Sequence, residues 1–244
     1  MQLLQVMSLL LDYPTEEIQQ HRPQIETIIH QSALSESSRQ ALLHFVQQRL
    51  ADELMEWQAD YDSLFERGRS LSLLLFEHLH GESRDRGQAM VDLQGQYREA
   101  GLEISLKELP DYLPLYLEFL STQGDENAQY GLQEVAPILA LLAARTQQRQ
   151  CDYQALFLAL LELSGAEIDL SDIRQQIAGE TRDDTAKALD KVWEEEMVSF
   201  MSAQSENSCP SSQYRPSEGQ RRDQFIPLDT ELLNASAPPR AAGV

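Results

Sequence analysis

A short stretch of the sequence, FEHLHGESRDRGQAMVDL at residues 76–93, concentrates residue types that can do chemistry. It holds two histidines, four carboxylates and two arginines. Imidazole and carboxylate groups ligate metals and transfer protons, and guanidinium groups bind oxyanions. The stretch could therefore be a catalytic or metal site, an anion site, or a loop fixed by its own ion pairs. The candidate residues are Arg67, Arg69, Glu77, His78, His80, Glu82, Arg84, Asp85 and Arg86.

The spacing of the two histidines does not suit a zinc site on a helix. Two ligands on one helix face need to be four residues apart, whereas His78 and His80 are two apart and would diverge by about 200°. His78 and Glu82 have the required spacing, but Gly81 lies between them. No further histidine or cysteine is nearby to complete a set of three or four ligands. We therefore predict no metal in this stretch.

Arginine dominates the basic residues of the chain, with sixteen arginines against three lysines. Arg67 and Arg69 lie shortly before this stretch, and Arg84 and Arg86 lie in it. Guanidinium groups pair bidentately with carboxylates. We therefore predict an internal network in which these arginines pair with Glu77, Glu82 and Asp85 and fix a loop between two helices. An arginine cluster that binds an anionic ligand remains the alternative.

Motifs for other chemistries do not occur in the sequence. It contains no GxSxG nucleophile elbow and no GxGxxG or GxxxxGK[ST] phosphate loop. The two cysteines, Cys151 and Cys209, form no CxxC pair, and Cys151 begins an ordinary amphipathic segment. A structural thiol in a reducing compartment is the expectation.

Charge and hydropathy limit the class of protein further. The formal net charge is -21, and residues 204–244, with four arginines and five acids, contribute only -1 of it. Such a surface repels nucleic acid and attracts a basic or amphipathic peptide. The N-terminus has no basic leader, and no run of eighteen apolar residues occurs. We expect a cytoplasmic protein that does not insert into a membrane.

Apolar periodicity predicts helices along the chain and no strand. The segment 132–144 is apolar almost all round and should be the central helix, kinked or begun afresh at Pro137. From about residue 204 the composition is too polar to offset the entropy of ordering it. We therefore predict an all-α, single-domain helical bundle at 1–203 and a flexible tail at 204–244. The predicted helical segments are 2–11, 15–31, 37–50, 52–67, 86–100, 110–120, 132–144, 152–163 and 184–201, the last with Leu189, Trp193, Met197 and Phe200 facing inward.

Four segments carry a resemblance to a known family. They are LFERGRSLSLLLFEHLHGESRDRGQAMVDL, ELPDYLPLYLEFL, EVAPILALLAARTQQR and RDDTAKALDKVWEEEMVSF. With them, most of residues 1–203 resembles the nitrate reductase molybdenum cofactor assembly chaperones of the NarJ and NarW type. These are part of the wider TorD-like family of redox-enzyme maturation chaperones. The tail does not share the resemblance.

The resemblance implies an all-helical TorD-like bundle that is not an enzyme. Such a chaperone would bind the N-terminal segment of the apo catalytic subunit of a respiratory nitrate reductase, as an unfolded-protein and peptide-binding factor in nitrate assimilation. It would keep that subunit competent for molybdenum cofactor insertion and then leave. It would have no cofactor of its own, and transient contact with the client's molybdopterin is left open. The alternatives are a metal- or anion-binding enzyme that uses Glu77 to Arg86 and a structural subunit of the mature reductase.

The family also has a peptide-binding motif, E-P-x-D-H. The matching residues here are Glu108, Leu109, Pro110, Asp111 and Tyr112. Glu108 and Asp111 keep the acidic positions, whereas proline is shifted by one place and Tyr112 replaces the histidine. Leu113 and Leu117 continue the same predicted helix and would add an apolar floor beside the acids. A first-turn carboxylate that interacts with the helix dipole is the structural alternative for Asp111.

Overall fold

Helices joined by short loops make up the part of the chain that the computed structural model describes, which is residues 2–79, 84–104, 108–191 and 193. Within these residues there is no strand, only an isolated antiparallel bridge between Leu74 and Tyr112. The all-α prediction is confirmed. The helices are α1 (Gln2–Leu11), α2 (Glu16–Gln20), α3 (Arg22–His30), α4 (Glu36–Arg49), α5 (Leu54–Tyr61), a π-helical turn (Asp62–Glu66), α6 (Leu75–Leu79), α7 (Arg84–Glu99), α8 (Leu113–Thr122), α9 (Asp125–Gln148), α10 (Gln154–Ser164) and α11 (Leu170–Ile177).

Helix α9 is the central element, as its sequence predicted. Leu132, Leu139 and Leu142 are fully buried in it. The helix is longer than the apolar segment and continues through Pro137 without interruption. Pro137 lies on an exposed side of the helix, where water can satisfy the backbone carbonyl that a proline leaves without a donor.

Two predicted segments divide in the structure. Residues 15–31 form α2 and α3, which are separated at His21, and Pro23 lies in the first turn of α3. Proline has no amide hydrogen to donate to the preceding turn, so it begins a helix more readily than it continues one. Residues 52–67 form α5 and then the π-helical turn.

The helices pack through leucine-rich and aromatic faces. Helix α10 lies along α9, and α8 lies along α1, where the Ser8 hydroxyl donates to the carbonyl of Pro114 at 2.7 Å. The predicted face of α5 is buried, with Trp57 and Tyr61 each 1 % exposed. The indole N–H of Trp57 donates to the hydroxyl of Tyr153 at 2.8 Å. A buried indole needs such an acceptor, so this bond fixes α5 against α10.

The C-terminal part of the described chain differs from its prediction. Helix α11 was not predicted, and residues 186–191 are helical. The prediction that Trp193 faces inward is wrong, because its side chain is 68 % exposed. Periodicity indicates which side of a helix is apolar but not whether another element covers that side. Met197, Phe200 and the predicted tail at 204–244 lie outside the described residues.

Membrane insertion can be tested on the helices of the described ranges. None of them is both long and apolar enough to cross a bilayer.

Candidate functional site

The junction between α6 and α7 contains the described members of the 76–93 stretch. His78 is half-buried, and its Nε2 lies 2.8 Å from the carbonyl oxygen of Ser72. Burial lowers the pKa of His78, which favours a neutral imidazole that donates from Nε2. Among the described residues, no group of three or more His, Cys, Asp or Glu side chains could hold a metal. His80 and Glu82 lie outside the described residues, as do the side chains of Arg84 and Asp85.

Arg86 connects this junction to a distant part of the chain. Its guanidinium lies 3.7 Å from Oε1 of Glu77, a pair that the sequence suggested, and 3.8 Å from Oδ2 of Asp111. Arg67 and Arg69 are exposed and flank Gly68 near the end of the π-helical turn. Arg86 therefore pairs with carboxylates of the protein itself, while Arg67 and Arg69 lie at the surface. Through Glu77 and Asp111, Arg86 links its own helix α7 to α6 and to the chain before α8.

Asp111, the partner of Arg86 in the chain before α8, is fully buried. Its Oδ2 accepts from the backbone N–H of Phe76 at 3.1 Å, and its backbone carbonyl accepts from Leu75 at 2.9 Å. Asp111 thus caps the start of α6 from outside that helix. Its Oδ1 is buried without a hydrogen-bond partner among the described residues. Burial raises the pKa of Asp111, although the Phe76 N–H and Arg86 lower it in part.

The structure corrects two expectations about the 108–117 segment. Helix α8 begins at Leu113, so Glu108 and Asp111 precede it and Asp111 is not a first-turn carboxylate. Leu113 and Leu117 are both 0 % exposed because that side of α8 packs in the core. They therefore offer no apolar floor to a peptide in this conformation. The apolar spacing along this helix was predicted correctly, but α1 packs against the apolar side of α8.

Tyr112 and Glu108 differ in how accessible their side chains are to a binding partner. The hydroxyl of the half-buried Tyr112 donates to Oδ1 of Asp12 at 2.9 Å and lies 3.0 Å from the hydroxyl of Tyr61. Burial raises the pKa of Tyr112, so this phenol stays protonated and able to donate. Glu108 is exposed, and its neighbour Leu109 is 43 % exposed. Glu108 is therefore the member of the predicted peptide-binding set that a client can contact freely.

Asp111→Asn is expected to change the pH dependence of stability. Because burial raises the pKa of this carboxyl, the folded state keeps its proton to a higher pH than the unfolded chain does. The stability that it contributes is fully present below the unfolded pKa and is lost as the pH rises through the folded pKa. The unfolding free energy of the variant relative to the wild type should therefore increase across this window. Urea titrations at several pH values measure the difference, and a constant difference would contradict the assignment.

An apolar groove lies between α1 and the α2–α3 pair and has a volume of about 350 Å³. Leu9 of α1 lines it and is 54 % exposed. A second recess of about 330 Å³ shares Gln2 and Ile28 with it and extends the concave surface. We call the larger recess the α1–α3 groove. It is lined by Gln2, Gln5, Val6, Leu9, Thr15, Glu17, Ile18, His21, Gln24, Ile25 and Ile28.

The sequence contained a signal for this groove that pattern analysis missed. The run from Leu3 to Leu11 is apolar on more than one side, whereas a surface helix needs one apolar stripe. Helix α1 buries most of that surface, and Leu9 is the large apolar side chain of the run that stays more than half exposed. An excess of apolar surface on a short helix indicates a second contact face, which can be a binding surface.

A separate cluster of charged residues joins three of the segments that carry the family resemblance. Arg145 and Arg149 at the end of α9 meet Ser70 and the acidic residues Glu180, Asp183 and Asp184. The arginines are four residues apart, with Arg145 in the last turn of α9 and Arg149 at its C-cap, and so lie on one side of the helix end. That spacing was visible in the sequence, but their partners lie 34 or more residues away.

Comparisons with known proteins give a consistent result. A protein-family model described as "Nitrate reductase delta subunit" matches residues 31–159. The chain is 46 % identical over 217 residues to an Escherichia coli K12 protein, the probable nitrate reductase molybdenum cofactor assembly chaperone NarW, covering 88 % of this chain and 91 % of that one. It is 50 % identical over 198 residues to NarJ of the same strain, covering 81 % and 84 %. A probable NarJ of Bacillus subtilis is 28 % identical over 173 residues, covering 71 % and 91 %.

Proposed function

The chain belongs to the nitrate reductase delta subunit family, and on that premise we propose that it is a cytoplasmic assembly chaperone for a respiratory nitrate reductase. It binds the apo catalytic subunit, keeps it competent for molybdenum cofactor insertion and leaves before the enzyme is mature. The similarity to relatives named as assembly chaperones supports this role. In this role the protein is not an enzyme and holds no cofactor of its own.

The α1–α3 groove supports the proposal that the protein recognises its client through the client's N-terminal segment. A peptide that becomes helical on docking lays its apolar side into a hydrophobic groove. Leu9 stands exposed at this groove, while Val6 and Ile25 lie deeper in its wall with 3 % exposure each. An exposed side chain over a mostly buried base gives the peptide apolar area to cover without opening the core.

Charge supports the same client chemistry. Glu17 lines the groove, Asp12 is exposed between α1 and α2, and Glu16 is exposed at the start of α2. The whole chain has a net charge of -21. Basic residues on a client peptide would meet these acids at the groove edge, whereas nucleic acid would be repelled. Ordering the peptide on binding costs part of the interaction energy, so the affinity should be moderate. Moderate affinity suits a chaperone that must release its client.

A comparison of two cell types tests the function. The tagged protein should retain the catalytic subunit from cells that cannot make molybdopterin and retain much less from cells that can, because insertion of the cofactor ends the interaction. Quantitative mass spectrometry of the captured proteins measures the ratio. Equal capture of active holoenzyme from normal cells would instead make the chain a structural subunit. Absence of the catalytic subunit from both samples would contradict the proposal.

A further inference from the structure

The charged cluster at the end of α9 is built around two arginines with little exposure. The side chains of Arg145 and Arg149 are 15 % and 8 % exposed. Arg145 makes a bidentate pair with Glu180 at 2.8 and 2.9 Å and also donates to the carbonyl of Ser70 at 2.8 Å. Arg149 donates to Asp183 at 2.9 Å and to Asp184 at 3.1 Å. The two nearly buried guanidiniums thus pair with three carboxylates from residues 180–184, and Arg182 of the same segment shares Asp184 at 2.6 and 2.9 Å.

The carboxylate of Asp183 lies in a cradle made by the loop before α6. It accepts from the backbone N–H of Ser70 at 2.7 Å and from the Ser70 hydroxyl at 2.6 Å. A Cβ placed on Gly68 would come within 2.8 Å of the carboxylate carbon, so this close approach requires glycine. Burial alone would raise the pKa of Asp183, but the bonds from Ser70 and Arg149 lower it. The cradle therefore stabilises a charged oxyanion.

The segment that supplies these carboxylates is attached mainly through charge. We call residues 178–184 the strap. Residues 178–182 are exposed, Asp183 is half-buried, and the side chain of Asp184 is 5 % exposed. Within the strap, which the structure describes completely, no apolar side chain is buried. Ile177, at 3 % exposure, is the last buried apolar residue before it. The strap is therefore held by charge-assisted hydrogen bonds, which are the kind of contact that an anionic ligand also makes.

We propose that the strap is a displaceable cover over an oxyanion site formed by Gly68, Ser70, Arg145 and Arg149, and that the site accepts a ligand bearing phosphoryl groups. Removing the strap alone would take the compensating carboxylates away from two guanidiniums with little exposure, although both keep a hydrogen bond to Ser70, and this loss of charge pairing is unfavourable. The strap therefore leaves only when another anion enters. Three carboxylates now supply the compensating charge, and a compact polyanion with several oxygens around one centre matches this requirement better than a single carboxylate.

Inorganic pyrophosphate is the probe that tests the site. Asp183→Asn with Asp184→Asn removes two internal competitors and keeps the size of both side chains. In calorimetric titration at constant ionic strength, this double variant should bind pyrophosphate at least about tenfold more tightly than the wild type, because a larger fraction of the chain presents an open site. The matched control is Glu167→Gln with Asp172→Asn, which removes one exposed carboxylate before α11 and one in its first turn and should leave binding unchanged.

A third variant places the binding at the cradle. Arg149→Gln added to the double variant should abolish pyrophosphate binding. If that protein does not fold, Ser70→Ala replaces it, because that change removes one donor and no charge. Hydrogen exchange of the strap in the wild-type protein should also increase with pyrophosphate and not with sodium chloride of equal ionic strength. Equal affinity in the wild-type and double-variant proteins, or binding that survives the loss of Arg149 or Ser70, would overturn the proposal.

Discussion

Leu139→Asp should abolish cooperative folding. Leu139 is 0 % exposed in the middle of α9, the helix against which α10 packs along its length. An unpaired carboxylate in an apolar interior costs several kcal/mol, while the whole stability of a domain is about 5–15 kcal/mol. The loss of the leucine contacts adds about 2–5 kcal/mol. Circular dichroism during thermal and urea titration should show loss of the unfolding transition.

The matched control for this variant is on the same helix. Tyr130 is 64 % exposed in α9, so Tyr130→Asp places the same carboxylate on the same element in water. Its unfolding midpoint should stay within a few degrees of the wild-type value, since exposed substitutions change stability by about 0.5 kcal/mol or less. A soluble, cooperatively melting Leu139→Asp protein would contradict the central position of α9.

The sequence predicted this helix because its signal is local. Apolar residues occur on nearly every side of 132–144, and only a helix in the middle of the fold can bury all of them. The face with Trp57 and Tyr61 was found for the same reason, since the spacing alone brings those rings together. The continuation of α9 through Pro137 was not predictable, because it depends on the exposure of that side of the helix.

The contacts of Asp111 could not be predicted from local patterns. Its partners, the N–H of Phe76 and the guanidinium of Arg86, are set by the packing of α6 and α7 against the chain before α8. An acid near a helix start is most often a cap or a dipole partner of its own helix. Here it caps a different helix. The motif predicted that Asp111 binds a peptide, whereas in the structure Asp111 is a buried side chain that caps α6 and Glu108 lies at the surface.

Local patterns also could not show that the α1–α3 groove, and not the leucines of α8, offers apolar surface to a peptide. Leu113, Leu117 and Leu9 all lie on helices whose apolar residues recur at helical spacing. Nothing in that spacing shows that α1 and α8 cover each other and leave Leu9 at the surface. Which apolar face remains available for a partner depends on which helices pack against each other, and that arrangement is a property of the whole chain.

Leu9→Gln should weaken binding of the client's N-terminal peptide about three- to tenfold while leaving the fold intact. Leu9 is 54 % exposed, so roughly half of the 1.5–3 kcal/mol available from burying a leucine is still to be gained on docking. A loss of about 1.4 kcal/mol is a factor of ten in the dissociation constant. Glutamine keeps a high helix propensity, so α1 should persist. Calorimetric titration with a synthetic N-terminal peptide of the catalytic subunit measures the change.

Met55→Gln is the control for the loss of an exposed apolar side chain. Met55 is 76 % exposed on α5 and does not line the groove, so its replacement should leave the affinity unchanged. Circular dichroism of both variants should superimpose on that of the wild-type protein. Equal weakening in the two variants would indicate non-specific adhesion of the peptide to apolar surface.

Two acidic variants decide between the α1–α3 groove and the segment before α8. Glu17→Gln removes the carboxylate that lines the groove, and Glu108→Gln removes the exposed carboxylate of the family motif. Charges that steer association at a binding surface give it a dependence on salt. Groove binding therefore requires a smaller salt dependence in Glu17→Gln and an unchanged one in Glu108→Gln. If Glu108→Gln alone reduces the salt dependence while Leu9→Gln binds normally, the peptide docks beside α8, and Leu109, 43 % exposed, becomes the apolar contact to test.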